Sequence, residues 1–392
     1  MRLLTSVGAS AAGVVLSGLC SGTGVSFPIY NDLAHQRYLL NLTVGTPPQP
    51  YSLIVDTGSA DFWLPLPNST GCAAQGCPAG TYNPADSQSS RDLGLPFNAT
   101  YGLTPGNGVE GIYVNDTIEV GSATIPDMTI GVGNVPPNLF NASLWGIAGL
   151  GSPLQESVYN NPASPVYQQP DYVFPTLWEQ LYLHGYTSRR LFSVWMNQQS
   201  AAEGTINFGR IDNGKFVGGL RTIGVILGQQ AEFTSWVVNL TSVQYLDSEG
   251  GETSLTGNDW SIHVVLDTAS PNMYLPAIIY NHVADLMGAQ IVQGFPYVPC
   301  SVRNSTESLQ FGFGMSMVGP QITVPFKEII YPYGLPANIG EIKDETGNPL
   351  CYLGLIETEG SIFLLGATFI RSAYVVFDVD GLQVAMSQAR FL

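Results

Sequence analysis

Two aspartates carry the chemistry this sequence can support. SLIVDTGSADFWLP at 52–65 and HVVLDTASPNMYLP at 263–276 share one frame: three apolar residues, Asp-Thr, a small residue, Ser, and a Leu-Pro ending. An aspartate after three apolar residues ends an inward-pointing strand on a group that resists burial. The residues that follow, Thr57, Gly58 and Ser59 in the first segment and Thr268, Ala269 and Ser270 in the second, suggest tight loops whose backbone N–H groups and hydroxyls face the carboxylate. Brought together, Asp56 and Asp267 cannot both ionise cheaply, so they share a proton. One is then an acid and the other a base. That suits attack of an activated water on an amide carbonyl, with neither a metal nor a covalent intermediate.

The elements that must position this pair are strands. Alternating, β-rich runs occur at 38–45, 50–58, 111–120, 204–209, 236–246, 261–267, 361–366 and 373–387, punctuated by Gly, Pro and Asn. Helix signals are few, the best at 176–185, where Gly185 is placed to end the helix, and at 276–289. The Pro-, Tyr-, Asn- and Gln-rich stretch 152–175 reads as a linker or a surface loop. The two Asp segments lie about half the chain apart, as expected of two related lobes. The expected division is an N-terminal lobe over 32–200 and a C-terminal lobe over 201–392.

Composition narrows the class. A chain of 392 residues, 45% hydrophobic and 11% charged, is long enough for two lobes with large cores. The formal net charge of −17, with only 13 Lys+Arg, offers no basic footprint for nucleic acid and would be repelled by an anionic membrane. The excess of carboxylates fits either a surface kept soluble by charge or a protein that works in acid, where they protonate. Residues 1–22 read as a secretory signal peptide, too diluted by Ser and Gly for an anchor, and no later segment is long and apolar enough to span a bilayer. Of the 5 Cys, cleavage would remove Cys20. The simplest pairing of the rest is Cys72–Cys77 with Cys300–Cys351, each within one half, and metal binding by C-x4-C is a poor second. The sequons at Asn41, Asn68, Asn98, Asn115, Asn141, Asn239 and Asn304 favour a glycosylated, exported protein. The 4 His show no metal-ligand spacing, and no G-x-S-x-G elbow occurs.

The chain resembles the pepsin-like aspartic proteases from about Asp32 to Leu392. The motifs that carry the resemblance come in order: VDTGS at 55–59 with Trp63, Tyr101-Gly102 followed by GVEGIYVNDTIEVG at 108–121, WGIAGLG at 145–151, GTINFGRID at 204–212, LDTAS at 266–270, and LLGATFIRSAYVVFD at 364–378. The resemblance implies an all-β, bilobal fold with a few short helices, no cofactor, and a monomer that binds an extended peptide or protein substrate in a cleft between the lobes. It implies that Asp56 and Asp267 hold the water, that Ser59 and Ser270 hydrogen-bond the outer carboxylate oxygens, and that Thr57 and Thr268 cross-brace the loops. Tyr101 and Gly102 would start a flap supported by Trp63. Ile54 and Ile147 would line apolar pockets, so that hydrophobic residues flank the cut bond. Both disulfides fall where the family keeps them. The implied function is a secreted endopeptidase active at acidic pH.

Several features depart from the family's pattern. Ala269 replaces the usual Gly and adds a methyl beside the pair, which costs strain if the backbone there needs a Gly-only geometry. The flap tip runs Leu103-Thr104-Pro105-Gly106. No Lys or Arg occurs between Gly22 and Asp32, where a basic pro-segment is expected, and Ala367 stands where several relatives carry Asp. These features motivate a rival expectation: a catalytically weak or inactive relative that binds a partner in the cleft.

Overall fold

The alternation in the sequence is realised as hydrogen-bonded strands. A computed structural model describes residues 23–101, 108–137, 146–314, 318–360 and 362–392, with the strand share at 44% and only short helices, so the fold is all-β and bilobal. The signal segment 1–22, Gly102 with the flap tip, and Asn141 lie outside the described residues.

Each half builds the same device. Arg37–Val44 pairs antiparallel with Gln49–Asp56, Leu39 opposite Ile54. The first strand alternates between buried and partly exposed positions, whereas Leu53, Ile54, Val55 and Asp56 are all buried. The alternation stops because Ile147–Gly149 runs parallel along the other edge of this strand, Ile54 beside Ile147, and places it in the sheet interior. Phe62–Pro65 then returns antiparallel to Ile147–Gly149. In the second half, Ile262–Leu266 runs parallel to Phe363–Leu365, and Met273–Leu275 returns antiparallel to it. A short strand from far along the chain is thus threaded beside each Asp strand, and it fixes where the loop after the aspartate must turn.

The halves are joined by a layer that belongs to both. Phe216–Gly224, Gln383–Ala389, Ala373–Asp378, Leu191–Trp195, Glu203–Phe208 and Val25–Asp32 are successive neighbours in one sheet, which continues into Arg37–Val44. The sequence patterns do not mark the strand Val25–Asp32, because Pro28 and the polar end Asn31-Asp32 hide the alternation. Aromatic packing secures the junction: Phe192 stacks on Phe377 at 4.7 Å, and Trp236 meets Phe192 edge-on at 5.8 Å. Such pairs each contribute about 0.5–1.5 kcal/mol beyond burial.

The run 373–387 forms two strands rather than one, Ala373–Asp378 and Gln383–Ala389, paired as a hairpin whose turn contains Asp380-Gly381. The stretch 152–175 is not a linker: Val158 and Val166 are buried in a cluster with Trp63 and Ile147. Helices Leu177–Leu183 and Ala277–Met287 form where expected, and Gly288 ends the second in the left-handed conformation. Disulfides Cys72–Cys77 and Cys300–Cys351 are both present. Asn41, Asn68 and Asn304 are exposed, while Asn98, Asn115 and Asn239 are half-buried. Among the described residues no helix is long and apolar enough to cross a membrane.

Candidate active site

The two Asp strands end against each other. The N–H of Thr57 donates to Oγ1 of Thr268 at 3.0 Å, and the N–H of Thr268 donates to Oγ1 of Thr57 at 3.0 Å. Each hydroxyl donates onward across the junction, Thr57 to the Leu266 carbonyl and Thr268 to the Val55 carbonyl, both at 2.7 Å. Both threonines are buried, so these reciprocal bonds satisfy four polar groups and lock the loops in one register.

The carboxylates are held by near-mirrored contacts. Asp56 Oδ1 accepts from the Gly58 N–H at 2.7 Å, and Asp56 Oδ2 accepts from the Ser59 hydroxyl. Asp267 Oδ1 accepts from the N–H groups of Ala269 at 2.9 Å and Ser270 at 3.1 Å, while its Oδ2 accepts from the Ser270 hydroxyl at 2.6 Å. The loops approach closely enough that a β-carbon on Gly58 would lie 2.7 Å from Asp267 Cγ, so only glycine fits. Ala269 lies outside the left-handed backbone region and packs against the cluster containing Ile54, Trp63 and Ile147. Its methyl therefore costs no backbone strain, which removes one motive for expecting a weakened site.

Burial raises the Asp56 pKa, the charge of Asp267 beside it raises it further, and the Ser59 and Gly58 hydrogen bonds oppose both. Asp56 is therefore driven toward its neutral form above the ordinary carboxylate range.

The aromatic residues singled out in the sequence also converge. The Trp63 indole N–H donates to the Tyr101 hydroxyl at 2.5 Å, with ring centroids 6.0 Å apart. Ile54 and Ile147 are each 1% exposed in the same cluster, against which Tyr101 packs.

Two features escaped the sequence reading. The first is Arg37, half-buried at the start of its strand, whose Nη1 donates to the carbonyls of Gln36 at 3.1 Å and Ala269 at 3.4 Å. Burial lowers its pKa, and the nearby Tyr331, Tyr274, Asp267 and Asp56 act in the opposite direction. It is a cation within electrostatic reach of the dyad, and its one sequence signal is its rarity in an acidic chain. The second is a buried acidic pocket behind the first loop. Asp61 accepts from the Tyr113 hydroxyl at 2.5 Å and from the Ser157 N–H at 3.1 Å. Glu156 beside it accepts from the Phe174 N–H at 3.0 Å. Both carboxyls are 4% exposed.

This pocket makes folding pH-dependent. Burial raises the Asp61 pKa from 3.8 to about 6, against the Tyr113 and Ser157 hydrogen bonds, and burial followed by the charge of Asp61 raises that of Glu156. A carboxyl whose folded pKa exceeds its unfolded one contributes no penalty below the unfolded value. The penalty grows between the two values and keeps its full size above the folded one. Stability should therefore fall as pH rises from about 4 to about 6, by roughly 3 kcal/mol from Asp61 alone. Asp61→Asn keeps an acceptor for Tyr113 and Ser157 and should flatten this dependence. Urea midpoints at successive pH values measure it, and an unchanged slope in the variant would refute the assignment.

The model of the eukaryotic aspartyl protease family matches residues 37–389. The chain is similar to the probable aspartic-type endopeptidase OPSB of Arthroderma benhamiae, 33% identical over 372 residues that cover 93% of this chain and 71% of that protein. It is also similar to candidapepsin-1 of Candida albicans, 27% identical over 93% of this chain and 84% of the relative. An aspartic proteinase from Irpex lacteus superposes with a TM-score of 0.72 at 23% identity, over 94% of this chain and 98% of that one, and so shares its fold.

Proposed function

The chain belongs to the eukaryotic aspartyl protease family and is an aspartic-type endopeptidase, and on that premise we propose that Asp56 and Asp267 cleave peptide bonds as a proton-sharing pair at acidic pH. The observation that carries this reading is the mirrored hydrogen bonding of the two Asp loops, locked by Thr57 and Thr268. Asp267, the more exposed member, takes a proton from a water as it attacks the substrate carbonyl. Asp56, driven toward its neutral form, gives its proton to the carbonyl oxygen as negative charge develops there. Reversal of these transfers delivers a proton to the leaving nitrogen and restores the pair. No step needs a metal or a covalent acyl-enzyme.

The substrate lies extended in the inter-lobe cleft under Tyr101, and the apolar backing of Ile54 and Ile147 favours hydrophobic side chains next to the cut bond. Export to an extracellular, acidic setting is supported by the two disulfides, the exposed sequons, and relatives named acid protease and secreted aspartic protease 1.

Digestion of a quenched peptide library from about pH 2.5 to about 7 tests this reading. The expected result is acid-optimal cleavage between hydrophobic residues, blocked by a peptide carrying a non-hydrolysable hydroxyl at the scissile carbon. Folded protein that cleaves no library member at any pH would overturn it.

A further inference from the structure

A cavity of ≈ 380 Å³ lies between the halves and has no role in the chemistry described above. One wall comes from the 154–168 region and the other from 230–235. Both walls are tied to the Asp loops. On one side, the Leu150 N–H donates to the Asp56 carbonyl at 2.7 Å and the Gly151 N–H to the Ser59 carbonyl at 2.8 Å, which sets the course of the chain into Leu154 and Gln155. On the other, the Leu266 N–H donates to the Trp236 carbonyl at 3.1 Å, immediately after Thr234 and Ser235. The Ser152 hydroxyl donates to the Phe233 carbonyl at 2.6 Å and the Trp236 indole to the Leu150 carbonyl at 3.1 Å, so the two walls are fastened to each other. The cavity therefore lies on segments anchored to both Asp loops, within the size range of ligand pockets.

Its lining is unlike the apolar backing around Ile54. Gln155, Asn160, Gln168, Gln230, Thr234 and Ser235 present amide and hydroxyl groups, and among the described residues Glu232 is the one charged residue that lines it. Glu232 takes part in no ion pair among the described residues. Leu154 and Tyr159 supply apolar surface on the first wall. An aliphatic stem against Leu154 and Tyr159, with a cationic head among acceptors and one carboxylate, is the chemistry of a lysine or arginine side chain.

We propose that this recess is a substrate subsite that selects a basic side chain, with Glu232 as its specificity-determining residue. The inference rests on the peptidase reading, since it assigns the recess to the same peptide-binding cleft.

The test uses matched peptides that carry Lys, Gln or Glu at each of the positions near the cut bond, assayed at the pH of greatest activity. The expected result is a preference at a single position, Lys over Gln by about fivefold in kcat/KM and Glu last. Glu232→Gln should bring the Lys-to-Gln ratio to about one, and Glu232→Lys should invert it. Glu252→Gln, at an exposed site on a separate strand, should leave the ratio as it is in the parent protein. Binding of the same peptides to the Asp56→Asn protein, followed by fluorescence anisotropy, reads the recess without turnover. A charge preference in binding, together with a parent protein that cleaves no peptide at any pH, would sink the catalytic reading and keep the recess as a basic-residue site. Cleavage or binding that is indifferent to charge at every position, or a preference that survives Glu232→Gln, would overturn the proposal and leave the peptidase reading standing.

Discussion

Asp56→Asn lowers kcat/KM by at least about 10³-fold while the protein stays folded, and Asp267→Asn does the same. The size of the loss follows from the shared proton. An amide can neither hold nor release that proton at working pH, so the partner is left without the opposite member of an acid–base pair. The fold should tolerate the change. The amide oxygen introduced by Asp56→Asn can still accept the Gly58 N–H, and the cross-bracing bonds of Thr57 and Thr268 do not involve the carboxylate. Stability moves in the opposite direction to activity above the ordinary carboxylate range. Burial and Asp267 raise the Asp56 pKa, so ionising Asp56 in the folded state has a cost that the Asn variant avoids as pH rises. Steady-state kinetics with far-UV circular dichroism and urea melts at acidic and neutral pH check both halves of this expectation. Activity within tenfold of the parent in either variant would remove the dyad from the mechanism.

Glu328→Gln destabilises the protein by about 3–5 kcal/mol, the cost expected when one partner of a buried ion pair is neutralised. Arg371 Nε donates to Glu328 Oε2 at 3.0 Å, and both side chains are 2% exposed. The same carboxylate oxygen accepts from the Gln199 N–H at 2.8 Å, and Arg303 donates to the Gln199 side-chain carbonyl at 2.9 Å. The network therefore ties the connection between two strands of the shared layer to the C-terminal lobe. Neutralising Glu328 leaves the Arg371 guanidinium buried with its charge uncompensated. Arg371 directly follows the short helix Ala367–Ile370, whose first N–H donates to the Ser270 carbonyl at 2.8 Å, so loosening here reaches the second Asp loop. Denaturant unfolding measures the loss. The double change Glu328→Gln with Arg371→Met should recover part of it, because both charges are then gone. A single-variant loss below about 1 kcal/mol would mean that the pair is solvated in solution.

The repeated loops were legible without coordinates because their chemistry is local. Asp-Thr-small-Ser after three apolar residues states which carboxylate ends the strand, which N–H groups reach it, and which hydroxyl follows. The structure adds that the two copies meet. The strand runs at 38–45 and 50–58, the helices near 177 and 277, and the Cys72–Cys77 pair were readable for the same reason: period, cap and spacing lie within short windows. Where windows failed, a longer-range partner decided. Val25–Asp32 is a strand because Glu203–Phe208 and Arg37–Val44 flank it. The single run 373–387 is a hairpin because its halves pair with each other around Asp380-Gly381.

The site divides along the same line. From the sequence alone come Asp56 and Asp267, the threonines and serines that follow them, and the acid–base chemistry proposed for two carboxyls brought together. Only the tertiary structure decided how Asp56 titrates, since burial and the neighbouring charge are properties of an assembled loop pair. It also decided that Ala269 is free of strain, because φ is set by the chain around it. It brought Arg37 to the dyad, buried Asp61 with Glu156, and fastened Glu232 into a recess with residues from the other half of the chain. Each of these depends on segments that are distant in sequence and adjacent in space, and no spacing rule along one chain encodes such neighbours.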